Sequence, residues 1–274
     1  MNNLSMVDFA FLDSGTGGIP YMLSLKKKNP DMRCVYLGDT LHFPYGEKSP
    51  AQVTECAASV IKRIVETWNP RALVIACNTI SVTALGELRK LFPELPVVGT
   101  VPAIKLAASV SKKRRIGLLA TNATVRHPYC TKLIEEFASD CKVFSRGDPD
   151  LIEFIEHRLF TSSEEERREA ILPAVNYFLS CDCDCIILGC THFTHIAEDV
   201  QKAAGSSVAV VDSRDGVANQ ALRVIKKRAD CVCKENCAVP PDMSFFVTEC
   251  RSPELAKEYE YLCKNFNIPW GGEF

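Results

Sequence analysis

Short runs of apolar, β-branched residues alternate along the chain with longer stretches in which apolar residues recur every three or four positions. The runs predict buried strands at Val7–Leu12, Cys34–Leu37, Ala72–Ala76, Val97–Val98, Ile116–Ala120, Cys185–Leu188, Val208–Val211 and Phe245–Val247. The periodic stretches predict helices, among them Ser49–Thr67, Ser81–Leu91, Pro128–Ala138, Ser163–Phe178 and Gly216–Arg228. Continuous apolar strands that alternate with helices are typical of parallel sheets covered on both faces. The pattern therefore predicts an α/β protein with doubly covered parallel sheets.

Helix-start signals support two of these boundaries. Ser49 is followed by Pro50 and then by Gln52, a combination that predicts an N-cap, a proline at the first helical position and a capping box. Ser163 and Glu166 predict a second capping box, with three acidic residues in the first helical turn. Both helices are expected to begin at these serines.

The chain contains a weak internal repeat. The stretch VIACNTISV, which holds Cys77, is similar to IILGCTHFT, which holds Cys190, and DFAFLDSGT and RRIGLLATN precede them in turn. We therefore predict two similar α/β domains, the first formed by residues 1–100 plus 212–274 and the second by residues 101–211. Ligands of open α/β sheets bind at the carboxyl ends of the strands, so we expect the two domains to share one cleft.

Composition narrows the class of protein. The chain has 274 residues, of which 47% are hydrophobic and 24% charged, and its formal net charge is −2. Without a basic excess, nucleic acid is not expected as a partner. No apolar run approaches the roughly 18 residues of a membrane span, so no membrane partner is expected. The first residues lack a basic segment followed by a long apolar run, so we predict a cytoplasmic protein without a signal peptide.

Fourteen cysteines in a reducing compartment have to be buried hydrophobes, metal ligands or catalysts. Cys77 and Cys190 differ from the other cysteines, because each follows a predicted buried strand and is followed by two polar residues. These are Asn78 and Thr79 in the first case and Thr191 and His192 in the second. A single cysteine of this kind would be interpreted as a buried core residue. Two cysteines at matching positions in a repeat favour a catalytic role. The start of a following helix stabilises a thiolate.

Two further groups of cysteines are candidate metal ligands. Alternation predicts that Cys181, Cys183 and Cys185 lie on one face of a strand, and a second group lies near the C-terminus: Cys231, Cys233 and Cys237. The chain has no C-x-x-C pair, which argues against a compact zinc site and against a thioredoxin-like enzyme. We therefore expect no metal and interpret these thiols as packing or surface residues, with a metal site as the minor alternative.

The remaining polar motifs offer an acid, hydroxyls and an imidazole. LDSGTGG brings Asp13 and Ser14 to the end of a strand but has neither the dinucleotide fingerprint nor the phosphate-loop lysine. HFPYGEKS contributes Tyr45 and the backbone amides around Gly46. His192 lies beside the second thiol and is a candidate for proton exchange. His195 is a weaker candidate of the same kind.

The motifs LDSGTGG, PYGE, ACNT and LGCTH, in this order and at these spacings, resemble those of the glutamate racemase family over essentially the whole chain. The resemblance implies two similar α/β domains related by a pseudo-twofold, with the active site in the cleft between them. It also implies interconversion of L- and D-glutamate without a cofactor. That reaction would supply D-glutamate for peptidoglycan synthesis, and hence for cell-wall biogenesis and cell shape. It leaves a homodimer open.

The resemblance also implies roles for individual residues. Cys77 and Cys190 match the two proton-transfer cysteines, Asp13 and His192 match the residues that assist them, and Glu156 matches an acid near the second cysteine. The residues of this chain that match the family's substrate contacts are Asp13, Ser14, Tyr45, Gly46, Asn78, Thr79, Thr191 and His192. The chain departs from the family pattern at Asp148-Pro149, where Cys-Pro is common, at Thr194-His195, where proline and an apolar residue are usual, and at Thr16, where valine is commoner.

Three alternatives stay open from the residues alone. A racemase of the same superfamily could act on aspartate or on a hydantoin. A hydrolase could use Cys190 as nucleophile and His192 as base, although this leaves Cys77 without a role. A protein that only binds a partner would not need either thiol.

Overall fold

The computed structural model describes residues 7–226 and 243–274 of the chain. The chain divides into two compact units, the first formed by Met1–Thr100 with Arg214–Phe274 and the second by Val101–Ser213. Each unit is a parallel β-sheet covered by helices, which confirms the predicted fold class. Within the described part of the chain, no helix is both long and apolar enough to cross a membrane.

The described strands and helices alternate along the chain. The strands are β1 Phe9–Asp13, β2 Cys34–Gly38, β3 Ala72–Ile75, β4 Val97–Gly99, β5 Arg115–Ala120, β6 Lys142–Gly147, β7 Cys185–Leu188, β8 Ala209–Val211, β9 Met243–Val247 and β10 Trp270–Glu273. The helices are α1 Ile19–Lys28, α2 Pro50–Trp68, α3 Asn78–Leu91, α4 Ile104–Val110, α5 Asn122–Arg126, α6 Pro128–Phe137, α7 Pro149–His157, α8 Glu164–Ser180, α9 Ala197–Ala204, α10 Arg214–Lys226 and α11 Pro253–Phe266. Short 3₁₀ turns lie at Thr40–His42, Tyr45–Glu47 and His192–Ile196.

Unit 1 has a six-stranded sheet in the order β10-β9-β2-β1-β3-β4, with every pair parallel. Every residue of β1, β2 and β3 is buried, as expected for central strands covered on both faces. Helices α2 and α3 pack against one face of this sheet, where they bury Ile61, Ile64 and Leu88 in a single apolar cluster. The central strands therefore hold the loops at their carboxyl ends on a rigid base.

Unit 2 has a four-stranded parallel sheet in the order β6-β5-β7-β8. Numbered by their order along unit 2, these strands are the second, first, third and fourth. Strands β2-β1-β3-β4 of unit 1 lie in the same order. The register agrees as well, because Leu12 pairs with Ile75 in unit 1 and Leu119 pairs with Leu188 in unit 2. The weak sequence repeat therefore corresponds to a repeated strand topology.

The two strands that the hydrophobic pattern did not predict, β6 and β10, lie at the edges of the two sheets. Strand β6 is exposed or half-buried along its whole length, and β10 alternates between half-buried and exposed residues. Neither strand has the continuous apolar run by which the central strands were predicted. Both predicted capping boxes are confirmed, at Ser49 with Gln52 and at Ser163 with Glu166.

The prediction that Cys181, Cys183 and Cys185 share one face of a strand is wrong. Strand β7 begins only at Cys185, and Cys181 is the residue that ends helix α8. Cys183 packs in the core cluster of Phe178 and Cys185 in the separate cluster of Ile116. Within residues 7–226 and 243–274, no group of three or more His, Cys, Asp or Glu side chains could hold a metal ion. The other group, Cys231, Cys233 and Cys237, lies outside the described residues.

Candidate active site

Cys77 lies at the carboxyl edge of the first sheet, two residues after the end of β3. It is the N-cap residue of α3 and is almost fully buried. Its thiol donates a hydrogen bond of 3.8 Å to Ser14 Oγ, which follows β1, the neighbouring strand. The positive end of the α3 dipole favours negative charge at this position. The site thus offers a thiol with a hydroxyl partner at a helix start.

The Gly-rich loop after β1 fixes the carboxylate of Asp13. Oδ2 of this fully buried residue accepts a 2.7 Å hydrogen bond from the Gly18 amide and lies 3.2 Å from Tyr36 Oη. The Tyr36 hydroxyl also lies 2.9 Å from the Gly15 carbonyl oxygen and accepts from the Gly18 amide at 2.9 Å. A Cβ at Gly18 would lie 2.7 Å from that of Ala76. The loop therefore needs glycine at this position, and Tyr36 anchors it from β2.

Asn78 and Thr79 follow Cys77 as the first residues of α3, and both are buried. Among the described residues, neither the Oδ1 nor the Nδ2 atom of Asn78 has a hydrogen-bond partner. A buried amide without partners is costly, so this side chain is well suited to bind a polar ligand. Thr100, which follows β4, is also fully buried, and within the described chain its Oγ1 has no partner. Thr100 was not predicted, although it too follows a strand at the carboxyl edge.

Tyr45 and Gly46 lie in the loop after β2, within the second 3₁₀ turn. The phenol of Tyr45 is buried and donates its proton to Asp39 Oδ2 at 2.5 Å. Burial and the negative charge of Asp39 raise the pKa of Tyr45 above its ordinary value, so the phenol keeps that proton. A substrate contact of Tyr45 would therefore use the phenol as an acceptor or the backbone as a donor.

Cys190 lies in unit 2 at the place that matches Cys77, two residues after the end of β7. It is almost fully buried, and its sulfur lies 3.7 Å from His192 Nδ1. The other ring nitrogen of His192, Nε2, lies 2.7 Å from Glu156 Oε2. The side chains of His192 and Glu156 are each only 2% exposed. The structure thus brings together a thiol, an imidazole and a carboxylate in one buried chain of polar contacts.

The charge state of His192 follows from its two partners. Burial alone would lower its pKa, but hydrogen bonds to Cys190 and Glu156, together with their charges, raise the pKa of His192 well above the ordinary 6.5. The protonated ring donates from both nitrogens, one to the carboxylate and one to the sulfur. His192 is therefore able to support negative charge on Cys190.

Helix α7 carries Glu156 toward His192. The helix is capped by Asp148, whose Oδ1 accepts from the Leu151 amide at 3.2 Å, and Pro149 is its first residue. The Asp148-Pro149 pair, a departure from the family pattern, thus starts the helix that positions the acid. Arg146 Nε holds the second oxygen of Asp148 at 2.9 Å.

The other candidates of unit 2 lie in the same turn as the second thiol. Thr191 is buried, and its carbonyl oxygen accepts a 2.7 Å hydrogen bond from Thr194 Oγ1. Thr194 is another departure from the family pattern, and its hydroxyl stabilises this turn through that hydrogen bond. The ring of His195 contacts the ring of Phe160 edge-on, with 5.5 Å between the centroids.

The polar groups around the two thiols occupy matching positions in the two units but differ in chemistry. Asp39 and Asp148 each follow the last glycine of the second strand, and their amides donate to Asp13 O at 2.8 Å and to Ala120 O at 3.3 Å. In unit 1 the loop beyond this aspartate carries Tyr45, whereas in unit 2 it leads into the helix that carries Glu156. The first thiol is paired with a hydroxyl and the second with an imidazole.

Comparisons with known proteins show the family of the chain. Residues 23–221 match the family model described as Asp/Glu/hydantoin racemase. A glutamate racemase of Treponema pallidum is 38% identical over 264 residues, covering 96% of this chain and 95% of that protein. A glutamate racemase of Glaesserella parasuis is 40% identical over 228 residues, covering 82% and 84%. The crystal structure of Escherichia coli glutamate racemase in complex with L-glutamate and the activator UDP-MurNAc-Ala matches with a TM-score of 0.85 at 28% identity, covering 98% of each chain.

Proposed function

The chain belongs to the Asp/Glu/hydantoin racemase family and is an amino-acid racemase, and from this premise we propose that it interconverts L- and D-glutamate by two-cysteine proton transfer at Cα. The proposed reaction needs no cofactor. One observation carries the proposal: two buried thiols, Cys77 and Cys190, occupy matching positions after the third strand of two units with the same strand order.

Racemisation explains why two thiols are needed. The reaction removes the Cα proton from one face of the amino acid and returns a proton to the other face. A single base would have to move across the plane of the carbanion, so two groups on opposite faces serve better. In each direction one sulfur is the thiolate base and the other is the thiol acid, and the roles exchange for the reverse reaction.

In unit 1, we assign Cys77 to proton transfer at one face of the substrate carbanion. Ser14 Oγ accepts a hydrogen bond from the Cys77 thiol, with 3.8 Å between sulfur and oxygen, and the start of α3 favours the thiolate. Asp13, held by Gly18 and Tyr36, is proposed to assist Cys77 and to contact the substrate ammonium. Asn78, whose side-chain amide has no partner among the described residues, and Thr79 are the proposed contacts for a substrate carboxylate.

In unit 2, we assign Cys190 to proton transfer at the other face. His192 holds the sulfur through Nδ1 and is itself held through Nε2 by Glu156. An imidazolium kept by the carboxylate stabilises the thiolate when Cys190 acts as base and exchanges the proton when it acts as acid. Thr191, which follows the thiol, is a further proposed substrate contact, as are Tyr45 and Gly46 of unit 1.

The Cα proton of an amino acid is very weakly acidic, so the site has to stabilise the carbanion electrostatically. Amide and hydroxyl donors aimed at the α-carboxylate do this most effectively in a site that excludes water. The reacting thiols and their neighbours Asn78, Thr191 and His192 are all buried, which supports such an environment. The polar groups are fixed before the reaction, so little reorganisation is needed in the transition state.

The proposed cellular role is the supply of D-glutamate for peptidoglycan synthesis in the cytoplasm, and thus for cell-wall biogenesis and cell shape. It rests on the resemblance to glutamate racemases and on the relatives that carry that name. A homodimer stays a prediction, for which the oligomeric state in solution is the direct measurement.

A hydrolase is the second candidate, favoured by one specific observation. The series Cys190, His192 and Glu156 has the order of nucleophile, base and orienting acid found in cysteine hydrolases. That reading gives no role to Cys77 or to its loop. It also gives no reason for the repeated placement of a thiol in both units.

A panel of substrates tests the proposed function. We expect purified protein, without added cofactor, to change the circular dichroism of L-glutamate and of D-glutamate toward the same racemic endpoint. Aspartate and a hydantoin are the matched alternatives, and activity confined to either of them would contradict the assignment of glutamate. An acyl-enzyme trapped on Cys190 with an ester substrate, together with no racemisation, would instead support the hydrolase.

A further inference from the structure

Asp39 is a fully buried carboxylate that none of the proposed catalytic steps uses. It follows β2 at the carboxyl edge of the first sheet, directly before the loop that carries Tyr45 and Gly46. A buried carboxylate is destabilising unless its oxygens accept hydrogen bonds. The donors to Asp39 therefore show which segments this carboxylate holds in place.

Three side chains donate to this carboxylate. Tyr45 Oη donates to Oδ2 at 2.5 Å, and Thr248 Oγ1 donates to Oδ1 at 2.8 Å. His42 Nδ1 lies 2.8 Å from Oδ2 and 3.0 Å from Oδ1, so this nitrogen carries the proton that is shared between them. Hydrogen bonds to a charged acceptor are stronger than neutral ones.

The donors come from two separate parts of unit 1. His42 and Tyr45 lie on either side of the Phe43-Pro44 pair in the loop, whereas Thr248 follows β9. Three further bonds link Thr40 and Leu41 to Thr248 and Glu249. The Leu41 amide donates to Thr248 Oγ1 at 3.0 Å, Thr40 Oγ1 donates to the Glu249 carbonyl oxygen at 2.6 Å, and the Glu249 amide donates to Thr40 Oγ1 at 3.1 Å. Asp39 therefore lies at the centre of a network that ties the loop to the end of a neighbouring strand.

This network assigns the phenol of Tyr45 a structural task. Its only proton is directed to Asp39, and its ring is buried, so it cannot donate that proton to a substrate. The side chain fixes the backbone at Tyr45 and Gly46 instead. A loop held in its binding geometry before the ligand arrives binds more tightly, because less conformational entropy is lost on binding.

We propose that Asp39 is a positioning residue that holds the Thr40–Glu47 loop in the shape that binds substrate, by accepting hydrogen bonds from Tyr45 and His42 while it is anchored to Thr248. The proposal rests on the proposed function, in which Tyr45 and Gly46 contact glutamate. Asp39 itself touches neither the thiols nor the substrate in this account. Its effect should therefore fall on substrate binding rather than on proton transfer.

A double-mutant cycle tests this role. We expect Asp39→Asn and Tyr45→Phe each to raise the KM for glutamate about tenfold, the size expected for one or two weakened hydrogen bonds, and to change kcat by less than about threefold. The double variant should be no worse than Asp39→Asn alone, because both changes break the same contact. Tyr259→Phe, which alters another buried phenol of unit 1 in α11, is the matched control and should leave KM unchanged.

Hydrogen–deuterium exchange gives a readout that does not depend on catalysis. Amides of residues 40–47 should exchange faster in Asp39→Asn and in the milder Thr248→Val than in the wild type, while those of central strand β1 should not change. An unchanged KM, additive losses in the cycle, or unchanged exchange in the loop would each overturn the proposal. If the wild type fails to racemise glutamate, the proposed function fails, and the exchange measurement still decides whether Asp39 holds the loop.

Discussion

His192 Nε2 and Glu156 Oε2 lie 2.7 Å apart, although the last residue of helix α7, all of α8 and strand β7 separate the two residues along the chain. Both side chains are shielded from water, so their interaction is little screened by solvent. Glu156 orients the ring and fixes which nitrogen faces the carboxylate, and this leaves Nδ1 directed at Cys190. The acid therefore acts on the thiol through the imidazole.

Replacing Glu156 with glutamine should lower the pKa of His192. The hydrogen bond and the charge of the carboxylate both raise that pKa in the wild type, and the neutral amide keeps the shape but removes the charge. The change is measured by NMR titration of the His192 ring. A His192 pKa in the Glu156→Gln variant as high as in the wild type would show that Glu156 does not set the charge of the ring.

The raised pKa of His192 also predicts how stability depends on pH. The folded protein holds the His192 proton more tightly than the unfolded chain, so this stabilisation is fully present below the unfolded pKa of about 6.5. It is lost as the pH rises from there through the folded pKa, with a slope of at most about 1.4 kcal/mol per pH unit. Urea unfolding between pH 6 and pH 9 measures it, with His192→Gln as the reference. Equal slopes for the two proteins would contradict the linkage.

Replacing Asn78 with leucine should separate stability from function. The buried amide of Asn78 has no partner within the described residues, so an apolar side chain of similar volume removes a desolvation cost of about 1 kcal/mol or more. We expect thermal unfolding at an equal or higher temperature, together with a large rise in the KM for glutamate. A variant that is clearly less stable but binds glutamate normally would show that the amide is used inside the fold.

Gly18→Ala and Gly86→Ala form a matched pair in unit 1. The new Cβ at residue 18 would lie 2.7 Å from Ala76 Cβ and 2.9 Å from Tyr36 Oη, whereas residue 86 on α3 has open space around it. Gly18→Ala should cost about 1–3 kcal/mol and disturb Asp13, while Gly86→Ala should gain about 0.5–1 kcal/mol from helix propensity. Chemical denaturation and racemisation rates of both variants check the pair. Normal activity in Gly18→Ala would contradict the role given to this loop.

Much of the candidate site could be predicted because it follows one local rule. Cys77 and Cys190 each come directly after a continuous apolar run, and buried central strands produce such runs. The helix caps could also be predicted from the local sequence, because Ser49 and Ser163 form hydrogen bonds within the first turn of the helices that they begin. The repeat in the sequence also predicts two similar α/β domains, and the two units share one strand order.

The contacts that hold the site in place could not be predicted in the same way. Tyr36 lies inside a fully buried strand, where an aromatic residue is interpreted as core, and its hydroxyl reaches the Asp13 loop only through the pairing of β1 with β2. Asp39 and Thr248 are far apart in sequence and meet only because β2 pairs with β9. Glu156 was found by family resemblance alone. The alternation of Cys181, Cys183 and Cys185 misled, because a helix end and a turn precede the strand there.

Incorporation of solvent deuterium at Cα is the most direct test of the two-thiol account. The wild type, Cys77→Ser and Cys190→Ser are each incubated in D₂O with L-glutamate or D-glutamate, without added cofactor, and followed by NMR and by chiral analysis. We predict that the wild type labels both enantiomers and interconverts them. Each serine variant should label at most one enantiomer, opposite for the two variants, and form none of the other. Interconversion near the wild-type rate by either single variant would contradict the account.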